Sequence, residues 1–267
     1  PGRLHIEAGV QTLEEAARWA SGRRGTAVEV WKGLNLLRST GAELHLDLLA
    51  GLPEQSWEGL LADLTALSIW GPDTIQLEVV KVLPGTRLER QAAVRGIRYA
   101  PRPPYEVLET PTFSFSHLRR AMRLSRMVDW YYNERSLRPV VQRFSGEIPE
   151  FWADFERFLS NRQIGGEGLS LERRYGLLYE WLGPGHGSQR AMLTDAWYRR
   201  NPMIHEGMAP ARFCSPKLMA KMVREEGEGE DPLWRVIEVE GTPTRFYAWK
   251  IEERGRRKLA AVFRANG

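Results

Sequence analysis

Three times within the first 110 residues a short apolar strand is followed by a turn and a helical stretch. "LHIEAGV" (4–10) leads into helical sequence from about Leu13 to Ser39, interrupted at "SGRRGT". "ELHLDLLAGLP" (43–53) leads into a helix near Glu54 to Trp70, and "DTIQLEVVKVL" (73–83) passes through "PGT" to a helix near Arg87 to Val94. Such βα alternation predicts a parallel sheet, because each helix returns the chain to the edge where its strand began. The crossovers are expected to be right-handed.

Strands covered on both sides of a parallel sheet read as nearly unbroken apolar runs. These three do not. His5 and Glu7 alternate with Leu4 and Ile6, His45 and Asp47 with Leu44, Leu46 and Leu48, and Gln76 and Glu78 with Ile75, Leu77 and Val79. Side chains alternate between the two faces of a strand, so one whole face is polar in each. A dry, packed interior is excluded for that face, since unpaired polar groups are costly to bury. It either lines a wet or ligand-filled cavity or consists of strand-end residues meeting solvent. Recurrence through three strands favours the cavity.

The texture changes after residue 110. "SHLRRAMRLSRMVDWYYNE" spaces its apolar residues as a helix does, and further helices are expected near Pro149 to Ser160, Leu169 to Leu182 and Ser188 to Arg199. "GPGHGSQR" lacks the Lys-Ser/Thr ending of a phosphate loop and reads as an interhelical turn. "REEGEGEDP" reads as a solvated acidic linker, followed by alternating segments "WRVIEVEG", "TRFYAWKIEE" and "KLAAVFRA" that predict an antiparallel meander. The expected divisions are therefore 1–110, a helical 111–226, and 227–267.

At 42% hydrophobic and 27% charged residues, the composition is that of a soluble globular protein. No run approaches the roughly 20 apolar residues that span a bilayer, and no signal peptide is visible. A cytoplasmic protein without a membrane partner is expected. The lone Cys214 allows neither an internal disulfide nor an all-cysteine metal site, and reads as a small buried hydrophobe. Basic residues are 32 Arg against 6 Lys, which suits phosphate or carboxylate contacts or reflects the nucleotide composition of the source.

In open parallel sheets and in barrels, ligands bind at the carboxyl ends of the strands. There Asp47 is followed by the glycine turn of "LLAGLP", "AGVQT" offers Gln11, and "SGRRGT" offers Arg23 or Arg24. A carboxylate for ribose hydroxyls, an amide, and a guanidinium for a carboxylate make a plausible adenosyl-amino-acid site.

At these residues the sequence resembles the radical S-adenosylmethionine (SAM) superfamily. It is most similar to cobalamin-binding radical SAM proteins, and also resembles the oxygen-independent coproporphyrinogen oxidase branch. "GVQT" (9–12), "GRR" (22–24), "HLDLLAGLP" (45–53) and "VLPGT" (82–86) stand in the order of that family's later barrel strands. "PPYEVLETPTFSFSHLRRAMRLSRMVDWYYNE" (103–134) is similar to the opening of a C-terminal domain of unknown function in the cobalamin-type proteins.

The resemblance implies the C-terminal half of a partial (βα)6 barrel, then a mainly helical domain ending in the meander. It implies SAM and a 4Fe–4S cluster as cofactors, possible cobalamin, and an electron donor such as flavodoxin or ferredoxin. Carried over by position, Gln11 touches SAM, Arg23 its carboxylate and Asp47 its ribose, with Glu7 on the same strand face. His45 and Glu78 stand beside that ligand or the substrate, and Lys81 is either a substrate contact or a plain strand-end lysine. The family's cluster-binding CxxxCxxC is absent from this chain, which implies a fragment lacking an N-terminal barrel half and any cobalamin-binding domain, with a naturally reduced, non-catalytic relative as the alternative. The sheet would then carry an unpaired edge where those strands belong.

Two other readings remain open. The arginines between Arg87 and Arg126, with Tyr99, Tyr105, Tyr131 and Tyr132, suit a basic helical protein on a degenerate barrel that binds nucleic acid, although a solvated arginine face over core aromatics explains them as well. An ordinary hydrolase would use Glu7 and Asp47 as acid and base, without any nucleophile motif to support it. His117, His186 and His205 read as surface or capping residues, and His45 as a hydrogen-bonded lumen residue.

Overall fold

The computed structural model describes residues 4–165, 168–201, 203–214, 234–240, 244–251 and 257–264. The acidic stretch at 224–232 lies outside these residues. The architecture is mixed α/β, and the chain divides into two compact units, Pro1–Glu167 and Gly168–Gly267. No helix among the described residues is long and apolar enough to cross a membrane.

In the first unit β1 (His5–Gln11), β2 (Glu43–Ala50) and β3 (Thr74–Val79) form a parallel sheet in that order. The crossovers hold α1 (Glu15–Ala20) and α2 (Ala27–Ser39), then α3 (Trp57–Trp70), and α4 (Arg87–Ala92) follows β3. Local signals set the helix limits. Thr26 and Glu29 form a capping box at the start of α2, Ser56 accepts from the Gly59 N–H at the start of α3, and Gly71 ends α3 at φ +81°.

Leu44, Leu46, Leu48 and Ala50 of β2 and Ile75 and Leu77 of β3 are buried, as are Leu60, Leu64 and Leu67 of α3. Each such leucine contributes about 1.5–3 kcal/mol by leaving water. The opposite face is the polar one, and the strands hold it in register: Glu7 pairs with His45, Gly9 with Asp47, and Asp47 with Gln76.

The first unit continues beyond residue 110. After β3 the chain at 80–82 pairs with 105–107, and β4 (Arg98–Tyr99) pairs with β5 (Val107–Glu109). Helix α5 (Phe115–Met127) and a π-helical turn (Val128–Tyr132) pack beside β3. The Asn133 carboxamide accepts from the Ile75 N–H (3.0 Å) and donates to the Ile75 carbonyl (2.9 Å), as a neighbouring strand would. Helices α6 (Arg138–Glu147) and α7 (Phe151–Asn161) complete a core of Tyr131, Tyr132, Phe144, Trp152 and Phe155. The textural change at 110 is thus a change of secondary structure within one compact unit. No described strand lies beyond β1.

The arginines of α5 are not simply a solvated face. Arg120 and Arg123 donate to the two carboxylate oxygens of Glu156 (2.9 and 2.6 Å), and Glu156 is only 2% exposed. Arg126 donates to the Gly165 carbonyl. Tyr131 and Tyr132 are fully buried, so neither is available to stack on a base.

The second unit contains α8 (Leu171–Leu182), α9 (Gly187–Tyr198) and an antiparallel sheet in the order β6 (Ala211–Phe213), β7 (Trp234–Val239), β8 (Arg245–Ile251), β9 (Arg257–Arg264). His186 caps α8, its Nδ1 lying 2.7 Å from the Leu182 carbonyl. His205 is a core residue rather than a surface one. Its Nδ1 accepts from the Gly207 N–H (3.1 Å), so the proton resides on Nε2, which donates to the Glu172 carbonyl (2.7 Å). His117 in the first unit also departs from expectation, stacking on Trp57 at 5.3 Å with its Nδ1 buried. Cys214 is half-buried, and burial pushes its thiol pKa up.

Candidate functional site

The site begins with an irregularity in β1. The register shifts between Gly9 and Gln11, and Gln11 takes a left-handed φ of +66°. A bulge of this kind re-aims the side chain that follows it. A Cβ added at Gly9 would lie 2.5 Å from Gln11 Nε2 and 3.6 Å from Arg23 Nη2, so both side chains lie over the glycine. Arg23 Nη1 also reaches the Val10 carbonyl at 3.4 Å. Burial, and then the neighbouring Arg18 guanidinium, pull the Arg23 pKa below its usual range.

Across the strand pair stand His45 and Asp47. His45 Nε2 lies 3.4 Å from Asp47 Oδ1, close enough for charge attraction but not aligned as a hydrogen bond. Both atoms are buried, and neither has a hydrogen-bond partner among the described residues. This corrects the expectation of a hydrogen-bonded His45. The His5 ring approaches His45 edge-on at 5.7 Å. Burial, followed by the adjacent Glu7 carboxylate, pushes the Asp47 pKa up, and His45 opposes that rise. Buried polar groups are ordinarily satisfied, so two orphaned atoms on one wall are a feature to explain.

Glu78 and Lys81 pair with each other at 3.2 Å, and Gln76 donates to the second Glu78 oxygen at 2.7 Å. Those two bonds hold the Glu78 pKa below its ordinary value. Lys81 also lines two cavities. One, of about 270 Å³, includes Gln11, Arg23, Leu49 and Arg87, and the other, of about 230 Å³, includes Glu78, Glu106 and Arg126. The fold therefore brings Gln11 and Arg23 over Gly9, with Asp47 opposite Gly9 and His45 opposite Glu7 on the strand pair, whereas Glu78 pairs with Lys81, which shares the 270 Å³ cavity with Gln11 and Arg23.

Sequence reasoning did not assign two guanidiniums to this region, although Arg87 stood among the arginines weighed for nucleic-acid contact. Arg87 lines the 270 Å³ cavity, and its only signal is its place directly after "PGT". Arg18 is 3% exposed and donates to the Thr12 carbonyl (3.1 Å). Thr12 in turn donates to Asp63 (2.6 Å), while Glu14 accepts from the Ser56 N–H (3.0 Å) and hydroxyl (2.8 Å). This network pins the β1–α1 turn to the start of α3. Burial raises the Asp63 pKa to about 6.

The wall thus runs from carboxylates at Glu7 and Asp47 to guanidiniums at Arg23 and Arg87 beyond the strand ends. An adenosyl amino acid fits this donor set, with hydroxyls to satisfy Asp47 and a carboxylate to meet Arg23. A 4Fe–4S cluster does not fit these residues, because the chain has one cysteine and no three His, Cys, Asp or Glu gather among the described residues. A family model described as a protein of unknown function (DUF4080) matches residues 95–202, and that family is associated with cobalamin-binding radical SAM proteins. The matched stretch includes 103–134. Comparison with curated proteins finds no match.

Proposed function

We propose that this chain forms the SAM-facing wall of a radical SAM enzyme of the cobalamin-associated kind, its three βα units being part of a partial (βα)6 barrel. The thiolates for the 4Fe–4S cluster come, on this reading, from polypeptide beyond this sequence. The observation that carries it is the pair of buried, unpartnered atoms His45 Nε2 and Asp47 Oδ1, set in a wall with Glu7, Gln11 and Arg23. SAM, when bound, would supply either a 5′-deoxyadenosyl radical or a methyl group. The residues of this chain bind and orient it. Asp47 accepts from ribose hydroxyls, Arg23 clamps the amino-acid carboxylate, and Gln11 bonds to the ligand over Gly9. Burial of Asp47 strengthens its contacts by excluding competing water.

The test has two arms. The gene upstream of Pro1 should encode CxxxCxxC, and its absence would overturn the proposal. In the protein carrying those cysteines, Asp47→Ala should weaken SAM binding by roughly 1–3 kcal/mol, the scale of a buried group losing its partner. Titration calorimetry returning an unchanged affinity removes Asp47 from the site.

A further inference from the structure

The second unit contains a cavity of about 350 Å³, within the size range of small-molecule sites. Gly187, Arg190, Ala191 and Thr194 line it from one face of α9, Tyr179 from α8, and Arg245 and Tyr247 from β8. The helix spacing of three and four and the strand spacing of two bring these side chains to a common space.

Its charges are unevenly answered. Asp195 accepts from Tyr247 (2.9 Å) and Arg199 (2.5 Å) and lies 3.4 Å from Arg245, so it is already shared among three donors. Burial and the adjacent Asp195 carboxylate push the Tyr247 pKa up, which keeps its hydroxyl protonated. Arg190 has no such carboxylate among the described residues. Its guanidinium carbon lies over the Tyr179 ring, 3.8 Å from the centroid, and its Nε is buried without a hydrogen-bond partner among the described residues. Among the lining residues the acid is Glu240, which is exposed to solvent. Arg190 and Arg245 against Glu240 leave one positive charge in excess in the lining, and the Arg199–Asp195 pair beside it adds none.

We infer that this cavity binds a small molecule bearing an oxyanion, a carboxylate or a phosphate, which meets Arg190 and Arg245 while the rest of the molecule packs against Tyr179 and Tyr247. A planar guanidinium fork suits either anion, and a buried unpaired N–H gains most from one. The inference is independent of the SAM wall.

Titration calorimetry on the full chain tests it with three probes of similar ring size: phenyl phosphate, benzoate and the neutral benzyl alcohol. One of the anions should bind at millimolar concentration more than tenfold tighter than benzyl alcohol, and which one does so identifies the source. Arg190→Gln should weaken that anion at least tenfold, read only if circular dichroism shows the variant folded, since it loses the contact with the Tyr179 ring but no hydrogen bond of Nε. Arg245→Gln should weaken it too, read only if circular dichroism shows the variant folded. Binding of neither anion above the neutral probe, or equal binding by Arg190→Gln, overturns the inference.

Discussion

Glu156 and Asp47 are both acidic side chains withdrawn from bulk water in the first unit, yet their surroundings are opposite. Glu156 is gripped at both oxygens by Arg120 and Arg123, within a core made by α5 and α7. Asp47 has a carboxylate neighbour in Glu7, an imidazole at ion-pair distance but out of hydrogen-bond alignment, and one buried oxygen without a partner. The first cluster is completed by the fold. The second keeps a buried oxygen that no described residue satisfies, and under the proposed function a ligand completes it.

The largest effect should come from breaking the completed cluster. Glu156→Ala leaves two guanidiniums, each about a quarter exposed, without their shared carboxylate, and should cost about 3 kcal/mol in urea unfolding. A loss below about 1 kcal/mol would erase the contrast with Asp47.

Asp63 sharpens it. Its folded pKa of about 6 exceeds the ordinary 3.8, so the folded state holds the proton more tightly. That contribution to stability is fully present below about pH 4 and is lost as pH rises through 6, a change on the order of 3 kcal/mol. Urea unfolding at pH 4 and 7 should find this slope in the wild type and a flatter one in Asp63→Asn. Equal slopes would mean that the carboxyl is not desolvated by the turn network.

The smallest effect is expected at Asp47 itself. Asp47→Asn removes the charge beside Glu7 and should leave stability at pH 7 unchanged or raised by about 0.5 kcal/mol, as expected if the proposed binding role, not stability, keeps it there. A loss above about 1 kcal/mol in the same assay would place Asp47 with Glu156 among the structural acids.

Much of the first unit was legible in the sequence. Period-two alternation revealed which face of each strand is polar, and Thr26, Ser56 and Gly71 mark helix ends through short-range bonds that depend on near neighbours. Gln11, Arg23 and Asp47 could be singled out because Gln11 ends β1, Arg23 lies in the glycine turn after α1, and Asp47 stands on the polar face of β2 shortly before a glycine turn. The Glu156 cluster was not legible, since its partners are 33 and 36 residues away and nothing local distinguishes them from solvated arginines. Arg18 and His205 were missed for the same reason: burial depends on what packs over a residue, not on its immediate neighbours in the chain.

By itself, then, the sequence determined three parallel strands with one hydrophilic side, because side-chain alternation and helix periodicity follow from backbone geometry alone. Tertiary structure alone decided that Gln11 turns over Gly9 at a bulge, that His45 and Asp47 face each other without bonding, and that the α5 arginines close on Glu156. The first two are set by how β1 and β2 register and by what covers their polar face, and the third by helix residues 33 and 36 positions apart, and no local pattern encodes those energies.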